Sequence, residues 1–133
     1  MENSDNHRSK VPIRLSVMSE LEPVVCDGFY SERDDGFVME FDIGTDNYAI
    51  EHTAASTKLT TRGFLSYDIV FGNDVSRSRL VTPFGDVDVS VSDAERDVAF
   101  SDDGITVGLK YTLSSESVGE LSRNVRVTAR FLH

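Results

Sequence analysis

Residues 82–91 read TPFGDVDVSV, and this stretch decides how the rest of the chain is interpreted. Its valines alternate with aspartate and serine, as in a β-strand with one buried face and one face in water. Pro83 and Gly85 interrupt the pattern on either side of Phe84. Their spacing suits a type I turn, but both residues also suit a bent or bulged strand. We favour the bent or bulged strand, with Phe84 capping one end of the fold.

The same alternation recurs along most of the chain after residue 10, and no long helical period appears. A single helical turn is predicted near residues 92–96. The pattern predicts eight to ten strands in total. The predicted strands lie at 11–17, 37–43, 48–52, 59–61, 65–71, 87–91, 98–100, 105–113 and 125–131.

Short polar turns separate these runs. Asp34-Asp35-Gly36 and Asp102-Asp103-Gly104 each carry an Asp-Gly pair between apolar runs, which is a strong hairpin signal. Short connections pair neighbours antiparallel, because parallel strands need a long crossover. The sequence therefore predicts an all-β fold, a single antiparallel up-and-down barrel of about eight to ten strands over residues 11–133. A two-sheet sandwich stays open as the alternative, and residues 1–10 are predicted to be a disordered tail.

Composition limits the classes of partner. The chain has 133 residues, a net charge of −10 and one cysteine, Cys26, which can form no internal disulfide. With no signal peptide and no long apolar span, we expect a cytoplasmic protein. An acidic surface repels nucleic-acid phosphates and anionic lipids, so neither is expected as a partner. A monomer or a small homo-oligomer is compatible with the polar outer faces of the strands.

Several segments together resemble a known family. TPFGDVDVSV is preceded by TRG (61–63) and SYDIVFG (66–72), and followed by ITVGLKYTLS (105–114) and NVRVTARF (124–131). This arrangement resembles the YwiB-like bacterial proteins, a domain of unknown function, over roughly residues 11 to 131. The resemblance implies a lipocalin-like, calycin-type β-barrel with an uncharacterised role and no catalytic set. Arg62 and Gly63 are adjacent here, whereas the family has one residue between them, and Leu80-Val81 replace the family's aromatic residue.

The candidate ligand contacts are polar side chains on the apolar faces of the strands. Tyr48, His52, Tyr67 and Tyr111 would point inward and could fix the polar end of a small molecule. Arg62 could reach the barrel mouth and pair with an anionic headgroup. The alternatives are core packing or exposure at the barrel ends for the four ring residues, and a surface salt bridge for Arg62. We favour these alternatives from the residues alone.

Catalytic and metal chemistry find little support. His52 could act as a base toward Ser56 or Thr57, but Glu51 lies on the opposite strand face and cannot orient the ring. A structural histidine is the preferred interpretation. Cys26 precedes an aspartate, which would raise its thiol pKa and make it a poor nucleophile. No metal-ligand spacing, phosphate loop or nucleophile elbow occurs, so no cofactor is expected.

Three hypotheses remain, in order of preference. The first is a non-enzymatic barrel that binds a small, partly apolar ligand in its interior. The second is a protein-interaction or structural barrel with a filled core, which predicts a contiguous exposed apolar patch. The third is a hydrolytic enzyme, which predicts a cleft with at least two perturbed titratable groups.

Overall fold

The computed structural model describes residues 10–18, 23–71, 76–116 and 119–132. The described residues form one antiparallel sheet of ten strands. The strands are β1 (Val11–Met18), β2 (Val24–Arg33), β3 (Gly36–Ile43), β4 (Asp46–Thr53), β5 (Thr57–Arg62), β6 (Tyr67–Phe71), β7 (Ser76–Thr82), β8 (Gly85–Ser101), β9 (Gly104–Ser115) and β10 (Gly119–Phe131).

The sheet curls into a nearly closed barrel. Its strand order is β6-β5-β4-β3-β2-β1-β10-β9-β8-β7, so chain neighbours pair, apart from β6 and β7, and β1 also pairs with β10. The end strands β6 and β7 meet at one antiparallel bridge between Ser66 and Val81. Their N···O distances are 3.0 and 2.9 Å. The predicted up-and-down barrel is confirmed, at the upper end of the predicted strand count.

The barrel interior is filled mainly by the apolar residues that alternate along the strands. Phe37 and Phe71 are the largest fully buried side chains. Each such side chain contributes roughly 1.5–3 kcal/mol relative to an exposed one. Five further aliphatic core residues have no exposed surface, and they come from β1, β4, β9 and β10: Ile13, Leu15, Ile50, Val107 and Val127.

Both predicted Asp-Gly hairpins are confirmed. Asp34-Asp35 connects β2 to β3, and Asp102-Asp103 connects β8 to β9. At the second of these, a Cβ atom on Gly104 would collide with the backbone carbonyl of Ala129 on the neighbouring strand. A glycine is therefore required there by the close approach of two backbones.

Two strands escaped the period-two reading. β2 buries only small residues fully, Gly28 and Ser31, and β7 carries the polar sequence SRSRLVT. Because neither strand presents a row of large apolar side chains, its alternation is weak. In addition, Leu65 lies in the turn before β6, which begins at Tyr67.

The stretch at 82–85 is a hairpin turn, so the prediction of a bent or bulged strand, with Phe84 capping one end of the fold, is wrong. Thr82 and Gly85 are paired at the end of β7 and the start of β8. The Thr82 hydroxyl accepts from the Phe84 amide at 3.0 Å and donates to the Gly85 carbonyl at 2.8 Å. Phe84 is 92% exposed and covers nothing. The local side-chain bonds of Thr82 hold the turn closed.

The helical turn predicted at 92–96 is instead a β-bulge in β8. The register with β9 shifts between Ser92 and Glu95, and Asp93 has a φ of 54°. One extra residue in a strand moves the following side chains to the opposite face. Val91 points inward before the bulge, and Arg96 does so after it.

The predicted tail lies almost entirely outside the described residues, since the description starts at Lys10. Lys10 forms a salt bridge of 3.3 Å with Glu40. The sequence Gly72-Asn73-Asp74 also predicts a turn, and these residues lie outside the described part of the chain.

Candidate ligand-binding site

A cavity of about 230 Å³ lies in the barrel interior. The polar groups of the cavity come from β4, β6, β9 and β10, as the side chains of Tyr48, Tyr67, Tyr111 and Arg123. The other residues that line the cavity are apolar, and they include Val17, Phe41, Ile50, Leu59, Leu109 and Val127. No carboxylate lines this cavity among the described residues.

The register of β4, β5 and β6 explains why the phenols meet. Tyr48 pairs with Thr61, and Thr61 pairs with Tyr67, so the three residues form one cross-strand row. Residues in such a row project from the same face of the sheet. The Tyr67 hydroxyl lies 3.2 Å from the hydroxyl of Tyr111 on β9. Three of the predicted contact residues are thus brought together at one cavity.

The phenol of Tyr48 stays protonated over a wide pH range. Burial raises its pKa, and the charges of Asp46 and Tyr67 add to that effect, while Arg123 opposes it. Its ring stacks on Phe41 with centroids 5.4 Å apart. Tyr48 therefore presents a fixed, neutral O–H group at the cavity.

Thr61 supplies a buried hydroxyl in the same row. The residue is 4% exposed, and its Oγ1 is the one buried side-chain polar atom of the described residues without a hydrogen-bond partner. Buried hydroxyls are normally paired, because leaving one unpaired costs roughly 1–3 kcal/mol. An unpaired hydroxyl beside Tyr48 and Tyr67 is the kind of group that a ligand atom or a bound water satisfies.

Arg123 was missed by the sequence reasoning, although its signal was present. Odd-numbered residues of β10 point inward, and Val125 and Val127 line the same cavity as Arg123. Extending the predicted strand 125–131 by one step of two residues would have placed Arg123 inside the barrel.

His52 belongs to a different cluster. It lies four residues beyond Tyr48 on β4, a distance of roughly 13 Å along a strand. Its Nδ1 is 2.8 Å from the Thr57 hydroxyl, which also accepts a bond of 2.9 Å from the Arg96 guanidinium. Burial lowers the pKa of His52, and the positive charge of Arg96 lowers it further. The lowered pKa favours the neutral imidazole, whose Nδ1 shares one hydrogen bond with the Thr57 hydroxyl.

The pairing of His52 with Thr57 resembles a base and a nucleophile, but its surroundings argue against catalysis. Thr57 has no exposed surface, so its hydroxyl cannot reach a substrate. Glu51 is exposed on the outer face, as expected from its position on the strand, and cannot orient the ring. Arg96 was missed because only the bulge in β8 turns it inward.

Arg62 does not reach the barrel mouth. It lies on the outer face and pairs with Asp68 at 3.0 Å, in the surface salt bridge given as the alternative.

The predicted rise in the Cys26 pKa is confirmed; burial is the largest cause, followed by Asp27 and Asp42.

No group of three or more histidine, cysteine, aspartate or glutamate side chains in the described residues is arranged to hold a metal ion. The described residues also contain no helix of the length and apolar character needed to cross a membrane.

The fold is similar to that in the crystal structure of the ywiB protein from Bacillus subtilis. The TM-score is 0.75, and the likeness covers 99% of this chain and 100% of that one. The two sequences are 15% identical, so the comparison shows the fold alone. The sequence matches no known family model and no curated protein.

Proposed function

We propose that this protein is a non-enzymatic barrel that binds one small, partly apolar molecule in its interior cavity. The observation that carries the proposal is the cavity itself, in which Tyr48, Tyr67 and Tyr111 stand among apolar walls. Concave apolar sites with a few convergent polar groups are typical of small-molecule binding.

The cavity volume limits the ligand. Small-molecule sites usually measure roughly 300–1,000 Å³, and an apolar cavity of about 150 Å³ holds benzene. A volume of about 230 Å³ therefore suits a molecule with one substituted ring or a short chain. The phenols at one side favour a ligand with a hydrogen-bonding group at one end.

The proposed family rests on two observations, one from the sequence and one from the fold. The motif stretches between Thr61 and Phe131 resemble the YwiB-like family, and the fold is similar to that of a ywiB protein. We therefore propose membership of that family, with a lipocalin-like barrel. The single cysteine, Cys26, has no partner within the chain for a disulfide, which supports a reducing compartment such as the cytoplasm.

Native mass spectrometry of the gently purified protein tests the proposal, beside its denatured mass. We expect excess mass that is lost on denaturation. In addition, NMR titration with p-cresol should shift resonances of the cavity residues. Val127→Phe fills the cavity and should abolish this binding, whereas Val38→Phe on the outer face of β3 should preserve it. Equal binding of p-cresol to both variants, or no binding to the wild type, would overturn the proposal.

A further inference from the structure

The closure of the barrel between β6 and β7 is incomplete. Ser66 and Val81 exchange both backbone hydrogen bonds. In an antiparallel ladder the next such pairs lie two residues further along each strand. Among the described residues no second backbone hydrogen bond joins the two strands. The positions left without a ladder are Asp68 opposite Arg79 and Val70 opposite Arg77.

A groove of about 710 Å³ runs along this splayed seam; we call it the seam groove. The rise per residue, the distance between strands and the distance between packed sheets together give one strand residue a volume of roughly 160 Å³. The groove therefore has room for about four residues of extended chain. One side-chain hydrogen bond spans the groove: the Ser78 hydroxyl of β7 donates to the Asp68 carbonyl of β6 at 2.6 Å. The other backbone N–H and C=O groups that face the gap at these positions can form hydrogen bonds with a further strand.

Cations line the seam groove. Lys58 is the cross-strand partner of Val70, so Lys58, Val70 and Arg77 lie in one row across the gap. Neither Lys58 nor Arg77 forms an ion pair with any described residue. Two positive charges thus flank an apolar side chain, Val70, which lies four residues beyond the bridge residue Ser66.

The neighbouring cations are already neutralised. Arg62 pairs with Asp68 at 3.0 Å, and Arg79 lies 3.4 Å from Asp88. The chain as a whole has 23 acidic and 13 basic residues. Glu51 on β4 is the other cross-strand neighbour of Lys58, so the row from Glu51 to Arg77 carries two positive charges and one negative charge. This net positive row contrasts with the acidic balance of the chain, and it attracts a carboxylate.

We propose that the seam groove binds an extended acidic peptide segment of a partner protein, which pairs with the splayed edge as an added strand. The edge backbone supplies ladder hydrogen bonds, and alternate side chains supply specificity. Acidic side chains of the peptide meet Lys58 and Arg77. Edge cations repel basic strands and lose hydration without compensation beside uncharged ones, so the same row that protects the edge selects an acidic partner. This surface is separate from the ligand in the interior cavity.

A labelled, end-blocked peptide of sequence Thr-Glu-Val-Glu-Val-Glu-Thr provides the probe, with binding to the full chain followed by fluorescence anisotropy. We expect saturable binding, weakened about fivefold by Arg77→Gln or Lys58→Gln, which corresponds to about 1 kcal/mol. Arg14→Gln, on the distant strand β1, should leave it unchanged. A peptide with N-methylated valines keeps the charge but loses ladder donors, and should bind at least about tenfold more weakly.

Any one of four outcomes would overturn the proposal. Equal affinity for both peptides, with full displacement by tripolyphosphate, would indicate an anion site only. Self-association of the free protein that Arg77→Gln abolishes would make a second copy of the chain the occupant. NMR amide shifts caused by the peptide only outside residues 66–70 and 76–81 would show that it binds elsewhere. The absence of saturable binding would show that the seam groove does not bind this peptide.

Discussion

The phenol oxygens of Tyr67 and Tyr111 lie 3.2 Å apart, although 44 residues separate the two tyrosines in the chain. Tyr67 belongs to β6, an end strand of the sheet, and Tyr111 belongs to β9, two strands inward from the other end. Their hydrogen bond therefore joins the two ends of the sheet from inside the barrel. It supplements the single backbone bridge between Ser66 and Val81.

Tyr67→Phe should cost about 1 kcal/mol of the free energy of unfolding, because it leaves the Tyr111 hydroxyl without this partner. Tyr111→Phe should cost a similar amount, and the double variant should cost less than the sum. Denaturant titration measures all three. Tyr30→Phe is the matched control, since the Tyr30 ring packs on Phe37 and Phe131 while its hydroxyl forms no hydrogen bond with a described residue, and it should be nearly neutral.

Hydrogen exchange gives the same variants a second readout. Amides of β6 and β7 should exchange faster in Tyr67→Phe, because the bond that holds the seam from inside is lost. Additive costs in the double variant together with unchanged exchange at the seam would show that the hydroxyl pair does not hold the barrel ends together.

Thr57 and Thr61 offer a matched test on one strand. Both are buried on the inner face of β5, but the Thr57 hydroxyl bonds His52 and Arg96, whereas the Thr61 hydroxyl has no partner. Thr57→Val should cost about 2 kcal/mol, since it leaves His52 and the partly buried guanidinium group of Arg96 without this hydrogen-bond partner. Thr61→Val should be neutral or stabilising by about 1 kcal/mol in the ligand-free protein. Thermal unfolding compares them, and equal costs would contradict this account.

His52 gives stability a pH dependence. Its folded pKa is lowered below the unfolded value of about 6.5 by burial and by Arg96. As the pH falls through that value, the unfolded chain binds a proton that the folded chain does not. Stability should therefore fall between about pH 7.5 and pH 5.5, and this histidine should have no effect above that range. The free energy of unfolding is measured against pH for the wild type and for His52→Gln, and the difference between the two profiles gives the contribution of His52. The same dependence on pH in both proteins would contradict this prediction.

The inner and outer faces of β9 can be tested directly. Val107 has no exposed surface, so Val107→Asp should cost about 4 kcal/mol or more, because an unpaired charge would be buried. Lys110→Asp lies on the exposed face opposite Glu95 and should cost about 1 kcal/mol or less. Urea denaturation with circular dichroism measures both. If the two variants lose similar stability, the assignment of faces in β9 is wrong.

The strength of each sequence prediction depended on how much apolar surface the element buries. β9 and the Asp-Gly hairpins were predictable because alternation and turn chemistry are local properties of the chain. β7 was not, since its residues are mostly polar and its pairing comes from the neighbouring β8. The bulge at Asp93 looked like a helical turn, and only register with β9 reveals the extra residue.

The sequence by itself determined the class of fold, the inward face of most strands and the positions of Tyr48, Tyr67 and Tyr111 on that face, because a period of two fixes side-chain direction locally. Tertiary structure alone decided which inward groups meet. Curling the sheet brings Tyr67 to Tyr111 and separates both from His52, and it leaves the seam of β6 and β7 splayed between Lys58 and Arg77. Such contacts depend on barrel closure and strand register, which are properties of the whole sheet.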